Sequence, residues 1–193
     1  MITIMAALII TVSVGAATAQ AQKDKKPQLP ERRPRGESEA RTVAYLVREV
    51  RRELVMLPYY GVFDWLEGEV KADGTVILRG EVVRPTTKSD AGNRVKKIEG
   101  VEQVVNEIEV LPLSTNDDQL RLAVYRAIFD WNSPLFRYAT QAVPPIHLIV
   151  KNGRVILKGI VATKADSDLA RIRANGVSGV FEVRNELRIE DQK

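Results

Sequence analysis

Cysteine is absent from all 193 residues. That excludes disulfides, thiol catalysis, iron–sulfur clusters and the lipid-modified cysteine of a bacterial lipoprotein. Histidine occurs once, at His147. A multi-histidine metal site is therefore excluded, and a catalytic triad would depend on that one base. No glycine-rich phosphate loop with a following Lys and Ser/Thr occurs, and no Gly-x-Ser-x-Gly elbow. Asp117-Asp118 and Glu67/Glu69 are paired carboxylates by spacing, and they read as helix-start charge and solvent-facing strand positions. The expectation is a protein that is not an enzyme and holds no metal or cofactor.

Long apolar runs are also scarce. The single one, Ile2–Ala17, is short for a membrane span and ends at the small-x-small sites Ala17-Thr18-Ala19 and Ala19-Gln20-Ala21. Residues 1–21 are expected to be a secretory signal peptide, which implies a periplasmic protein. Residues 22–38 carry Pro27, Pro30 and Pro34 amid dense, mostly basic charge, a composition suited to an extended linker.

What the remainder has in plenty is internal similarity. Gly74–Val110 aligns without a gap on Gly153–Ile189, with 13 of 37 positions identical. The matches keep glycines, alternating apolar residues and a closing Asn-Glu pair in step, so two structural units are expected, at 39–112 and 113–191.

Each unit is legible from its residues. Asp73-Gly74 and Asn152-Gly153 are two-residue turn signals, each predicting a hairpin. The strands around them are expected at Leu66–Lys71 and Ile146–Lys151, then from Val76 and Val155 onward with period-two alternation. A short helix follows, capped by Thr86 or Thr87 in one copy and by Thr163 or Asp166 in the other, and ended by Gly100 or Gly179. The last strands are expected at Glu102–Val110 and Phe181–Ile189. Upstream, Val43, Leu46, Val47, Val50 and Leu54 mark an amphipathic helix over ~39–56, and a second is expected over ~117–131 with Ser114 or Thr115 as its cap. The fold class is α+β: two tandem αββαβ two-layer sandwiches, each a three-stranded sheet with two helices. Gly74, Gly80, Gly100, Gly153, Gly159 and Gly179 serve turns and helix ends. Asn106 and Asn185 are expected to bond backbone near the last strand.

Between 73–82 and 152–161 the chain reads DGTVILRGEV and NGRVILKGIV; at 99–110 and 178–189 it reads EGVEQVVNEIEV and SGVFEVRNELRI. This combination resembles the BON domain family, named for bacterial OsmY and nodulation proteins, in both copies. The resemblance implies an αββαβ fold, export to the periplasm, and association with phospholipid or with envelope proteins. It also implies support of envelope integrity under osmotic stress.

The copies differ in charge: residues 38–112 sum to −2 and 113–193 to +3. They differ as well after the first helix, where the second copy holds about five more residues. Aromatics gather in that stretch, at Tyr59, Tyr60, Phe63 and Trp65 in one copy and Trp131, Phe136 and Tyr138 in the other. Trp131, Leu135, Phe136, Arg137 and Tyr138 mix aromatic with basic character, as at an anionic bilayer surface. They are the candidate contact for anionic phospholipid or for an envelope protein partner, the second case making the chain an adaptor module. Nucleic acid is not expected: Gly176-Val177-Ser178-Gly179 spells a GxxG loop but stands before a strand rather than between two helices.

Overall fold

A computed structural model describes residues 35–141 and 143–190. The expected signal peptide, and the linker as far as residue 34, lie outside the described residues. Residues 35–38, assigned by composition to the linker, open the first helix instead, because no proline interrupts the chain from 35 to 55.

The first unit consists of α1 (Arg35–Val55), β1 (Trp65–Val70), β2 (Thr75–Val82), α2 (Pro85–Val95), β3 (Gln103–Asn106) and β4 (Glu109–Val110). The second consists of α3 (Thr115–Ile128), α4 (Phe136–Ala139), β5 (Ile146–Lys151), β6 (Arg154–Val161), α5 (Lys164–Asn175) and β7 (Glu182–Ile189). In each, an antiparallel hairpin is extended by a last strand parallel to its second strand. A parallel neighbour needs a crossover, which α2 and α5 supply. The result is two αββαβ sandwiches. Val43, Leu46, Val50 and Leu54 bury one stripe of α1 against Leu66, Val70, Val76, Leu78 and Val82. Val124 and Ile128 do the same over Leu148, Val150, Val155 and Leu157.

Several local features differ from the sequence reading. The first hairpin has a three-residue loop, Ala72–Gly74, because Lys71 N–H already bonds Thr75 O at 2.9 Å. Asp73 stays at negative φ and accepts from Thr75 N–H, while Gly74 alone takes the left-handed position. The Asn152-Gly153 turn does have two residues, both at positive φ. β1 consequently begins one residue earlier than expected. Neither Thr86 nor Thr87 caps α2: Arg84 is its N-cap and Pro85 its first residue, with no side-chain cap. Thr163 and Ser114 do cap α5 and α3. Gly100 and Gly179 do not end the helices, which stop at Val95 and Asn175. Both stand at φ +90° in the turn that opens the last strand.

The last strand of the first unit is broken. Asn106 Oδ1 takes the N–H of Ile108 at 3.3 Å, and Ile108 turns into the core, 1% exposed. The register is unchanged across the break, since Asn106 faces Leu78 and Glu109 faces Glu81. In β7 the same bond forms between Asn185 and Leu187, but Leu187 is only half-buried and the strand runs through.

The helices cover one face of each sheet, and the other faces meet. Trp65, Leu111 and Ile149 are buried together there, with Val83, Ile156 and Ile160 packed against them. Lys158 pairs with Glu81 at 3.2 Å, and Lys151 with Glu109. The whole is four layers, helix–sheet–sheet–helix.

Candidate functional site

The stretch between α3 and β5 contains the five residues singled out from the sequence, and the fold divides them. α4 is one helical turn that the sequence pattern did not announce. Leu135, just before it, is fully buried, and Tyr138 is 5% exposed. Both belong to the core of the second unit. Trp131 is 77% exposed, and its ring lies 4.7 Å from that of the half-buried Phe136. Arg137 is exposed beside them, its guanidinium 4.9 Å from the Tyr138 ring. One surface therefore offers Trp131, Phe136 and Arg137, with Leu135 and Tyr138 as its footing.

That footing is polar as well as apolar. Asp166 Oδ2 accepts from Arg137 at 2.6 Å, from the Thr163 hydroxyl at 2.7 Å and from the Tyr138 hydroxyl at 3.0 Å. The Tyr138 oxygen in turn accepts Ala162 N–H at 2.9 Å. Asp166 is 6% exposed, so these donors offset the loss of water around its charge. The network ties α4 to the first turn of α5. By the offset of 79, the corresponding residue in the first unit is Thr87, whose buried hydroxyl has no partner. Asp166 was legible only as a helix cap. Its second role depends on a residue 29 positions away, which no local pattern reports.

A second polar cluster fastens α3 to the hairpin. Asp117, 2% exposed, accepts the N–H groups of Asn152 and Gly153 at 2.8 and 2.9 Å. Arg121, also buried, donates to Val150 O at 2.9 Å and pairs with Asp118. Beside the cluster lies an open groove of about 650 Å³, floored by Leu120 and Ala123 and edged by Asn116, Ser178 and the exposed Phe181.

The single histidine lies between the units. His147 is 1% exposed, with the Trp65 ring 5.2 Å and the Tyr60 ring 5.3 Å away. Its Nδ1–H donates to Gly61 O at 3.2 Å, and Nε2 takes the Tyr60 hydroxyl at 3.4 Å, the pattern of a neutral imidazole. Burial pushes its pKa down to about 4 and pushes the Tyr60 phenol far up. Asp64, which accepts from Gly61 and Val83 N–H, is raised by burial. Next to these, Leu148 N–H bonds Val62 O at 2.8 Å, so the connector of the first unit covers the outer edge of β5.

The remaining candidates have structural partners. Glu67 accepts from the Trp65 indole at 2.6 Å and Glu69 from Arg79 at 2.9 Å. Asn106 and Asn185 donate to the carbonyls of Lys88 and Ser167, tying each last strand to the helix packed on it. Among the described residues no group of three or more His, Cys, Asp or Glu side chains could hold a metal ion. No described helix is long and apolar enough to cross a membrane.

The charge is arranged by layer rather than by unit. Arg41, Arg48, Arg52, Lys96 and Lys97 are exposed on the helix side of the first unit, whereas Glu67, Glu69, Glu81, Glu107 and Glu109 lie on its sheet side. In the second unit Lys151, Lys158, Arg121 and Arg137 each face a carboxylate. Lys151 and Lys158 thus meet carboxylates of the first unit, while Arg126, Arg171 and Arg188 remain exposed and without an ion pair among the described residues.

The model of the family described as "BON domain" matches residues 42–112 and again 116–191. No curated protein matches the chain. Among solved structures, it aligns with the C-terminal domain of CdsD, the structural protein of the Type III secretion system of Chlamydia trachomatis. The identity is 14%, covering 76% of this chain and 98% of that one, with a TM-score of 0.28. A further structure of CdsD aligns at 15% identity over 77% of this chain and 94% of that one, with a TM-score of 0.29.

Proposed function

Since the chain belongs to the BON domain family and carries the domain twice, we propose that it is a non-enzymatic binding protein of the periplasm. It attaches to the envelope through anionic phospholipid and supports envelope integrity under osmotic stress. The observation that carries this reading is the projection of Trp131 and Phe136 beside Arg137, on a turn anchored by buried Asp166. An indole exposed on a rigid base suits the headgroup region, where one edge meets acyl chain and the other meets water. Arg137 adds a cation at the same level.

Arg126, Arg171 and Arg188 of the second unit are exposed as well and have no ion pair among the described residues, so apolar insertion and charge both contribute to the affinity. Flotation with vesicles containing anionic lipid should recover the protein, and Trp131 emission should shift to the blue on addition of vesicles. Raising salt should weaken binding several-fold without abolishing it. Trp131→Ala combined with Phe136→Ala should abolish flotation while leaving the thermal midpoint within a few degrees. No binding by the unsubstituted protein, even at low salt, would remove the lipid reading.

A further inference from the structure

Among the described residues, no strand or connector covers the outer edge of β7. β5 is covered on its outer side by Val62, and the corresponding strand of the first unit is interrupted at Glu107-Ile108. β7 runs unbroken for eight residues, with β6 on one side and no strand on the other among the described residues. A long, flat, unpaired edge is a template for another strand unless something blunts it. Here nothing does. The chain has no proline in β7, and the side chains on its outer face, Glu182, Arg184, Glu186 and Arg188, are all exposed.

The order of those four charges identifies the strand that fits. Placed antiparallel to itself about Asn185, β7 sets Glu182 opposite Arg188 and Arg184 opposite Glu186, so both kinds of cross-strand pair are of opposite sign. On the other face Val183 falls opposite Leu187. At the two ends Phe181, 84% exposed, falls opposite Ile189, 47% exposed. These two apolar side chains, otherwise facing solvent, would cover each other. Moving the register by two residues either way destroys the match, since it sets Arg184 on Arg184 or Glu186 on Glu186. A shift by one would set the charged face against the apolar one.

The backbone agrees with this register. Glu190 N–H bonds Val161 O at 2.8 Å, so even-numbered residues of the strand point their backbone at β6 and odd-numbered ones at the free edge. Phe181, before the strand, bonds Gly153 O at 2.9 Å and adds only its side chain to the pairing. Asn185, Val183 and Leu187 then become the hydrogen-bonded pairs. The charged residues fall at the non-bonded pairs, where side chains approach more closely. Two existing contacts change partner. The 3.2 Å pairs Arg184–Glu186 and Arg154–Glu182 are exposed and worth little. The Leu187 N–H, held at 3.2 Å by Asn185 Oδ1, exchanges that bond for a main-chain carbonyl of Val183 in the second copy.

We propose that β7 is a homodimerisation edge: two copies of this chain pair antiparallel through β7 about Asn185, joining their second sheets into one continuous six-stranded sheet. Sedimentation velocity on the full chain, over a roughly hundredfold range of concentration, should show a monomer–dimer equilibrium. Two variants test the register. E182R/E186R makes the outer face of the strand wholly basic, and R184E/R188E makes it wholly acidic. Each alone should weaken self-association at least tenfold, and an equimolar mixture should restore a dimer containing one of each. Restoration also shows that both variants are folded. A wild type that stays monomeric throughout overturns the proposal. So does a dimer that persists unchanged in either variant, which would place the contact on another face, or a mixture that remains monomeric.

Discussion

Gly80 and Gly159 sit at φ +125°, a conformation that side chains other than glycine rarely adopt. A Cβ on either would lie 2.0 Å from a carbonyl oxygen, that of Trp65 or of Pro145. Gly80→Ala or Gly159→Ala should therefore cost more than about 3 kcal/mol, measured by urea unfolding, through backbone strain and a clash with main chain that cannot move aside. His147 makes a different prediction at the same scale. Its folded pKa of about 4 lies below the ordinary 6.5, so the unfolded chain binds the proton first. The stability contributed by the neutral ring is complete above pH 6.5 and is lost as pH falls from there toward 4, at up to ~1.4 kcal/mol per unit. Asp64, raised by the same burial, acts with the opposite sign. The comparison that isolates the histidine is thus the wild-type slope against that of His147→Gln, which should be flatter between pH 6.5 and 4.5. Gly80 and Gly159, expected at turns or helix ends, stand instead inside β2 and β6 opposite Leu66 and Ile146, where the neighbouring main chain passes too close for a side chain. His147 was legible as a strand residue without a motif. Its neighbours were not, because Tyr60, Gly61 and Trp65 come from the other unit.

At the scale of elements, the two first helices reach their sheets by different chemistry. α1 presents Val43 and Val47 where α3 presents Asp117 and Arg121, so an apolar seam in one unit is a polar clasp in the other. Asp117→Ala would leave the N–H groups of Asn152 and Gly153 buried and unpaired. A loss of about 2–3 kcal/mol is expected in denaturant unfolding, as a lower midpoint of the single transition. Elements with a clear period were readable before any coordinates: α1, α3 and both hairpins. The connectors were not, since a stretch such as Trp131–Tyr138 has no repeat to say which side chains turn inward. Proximity of five aromatic, apolar and basic residues in sequence suggested a common surface. One helical turn was enough to send Leu135 and Tyr138 inward and leave Trp131 and Phe136 outside. The clasp itself was masked because Asp117 and Asp118 have the spacing of ordinary helix-start carboxylates. Only the return of the hairpin over the helix gives Asp117 its two donors.

At the scale of the whole molecule, the outer sheet faces decide behaviour that neither unit shows alone. Trp65, 1% exposed, is the largest side chain of the contact between units. Trp65→Ala should cost about 3–5 kcal/mol and split one cooperative unfolding transition into two, visible by calorimetry. A lower midpoint with a single sharp transition retained would count against this. The charges follow the same division. The carboxylates Glu81 and Glu109 of the first sheet meet Lys158 and Lys151 of the second, so part of the negative sum of the first unit is answered by cations of the second. A sum over a segment of sequence could not separate the two sides of a sheet. The alternation along β1 and β2 carries the separation, but only a known neighbour says which side is covered.

Val62 and Phe63 complete the second unit although they are encoded in the first, as the bond to Leu148 and the Phe63–Tyr125 ring contact show. Because a chain emerges from its N-terminus, these residues and the sheet face around Trp65 are made before anything exists to cover them. They stay sticky until the second hairpin has been synthesised. A product interrupted between the copies would expose the face around Trp65 with nothing to cover it. The reverse order of copies would leave β5 without its cover. The direction of synthesis is in this sense part of the architecture.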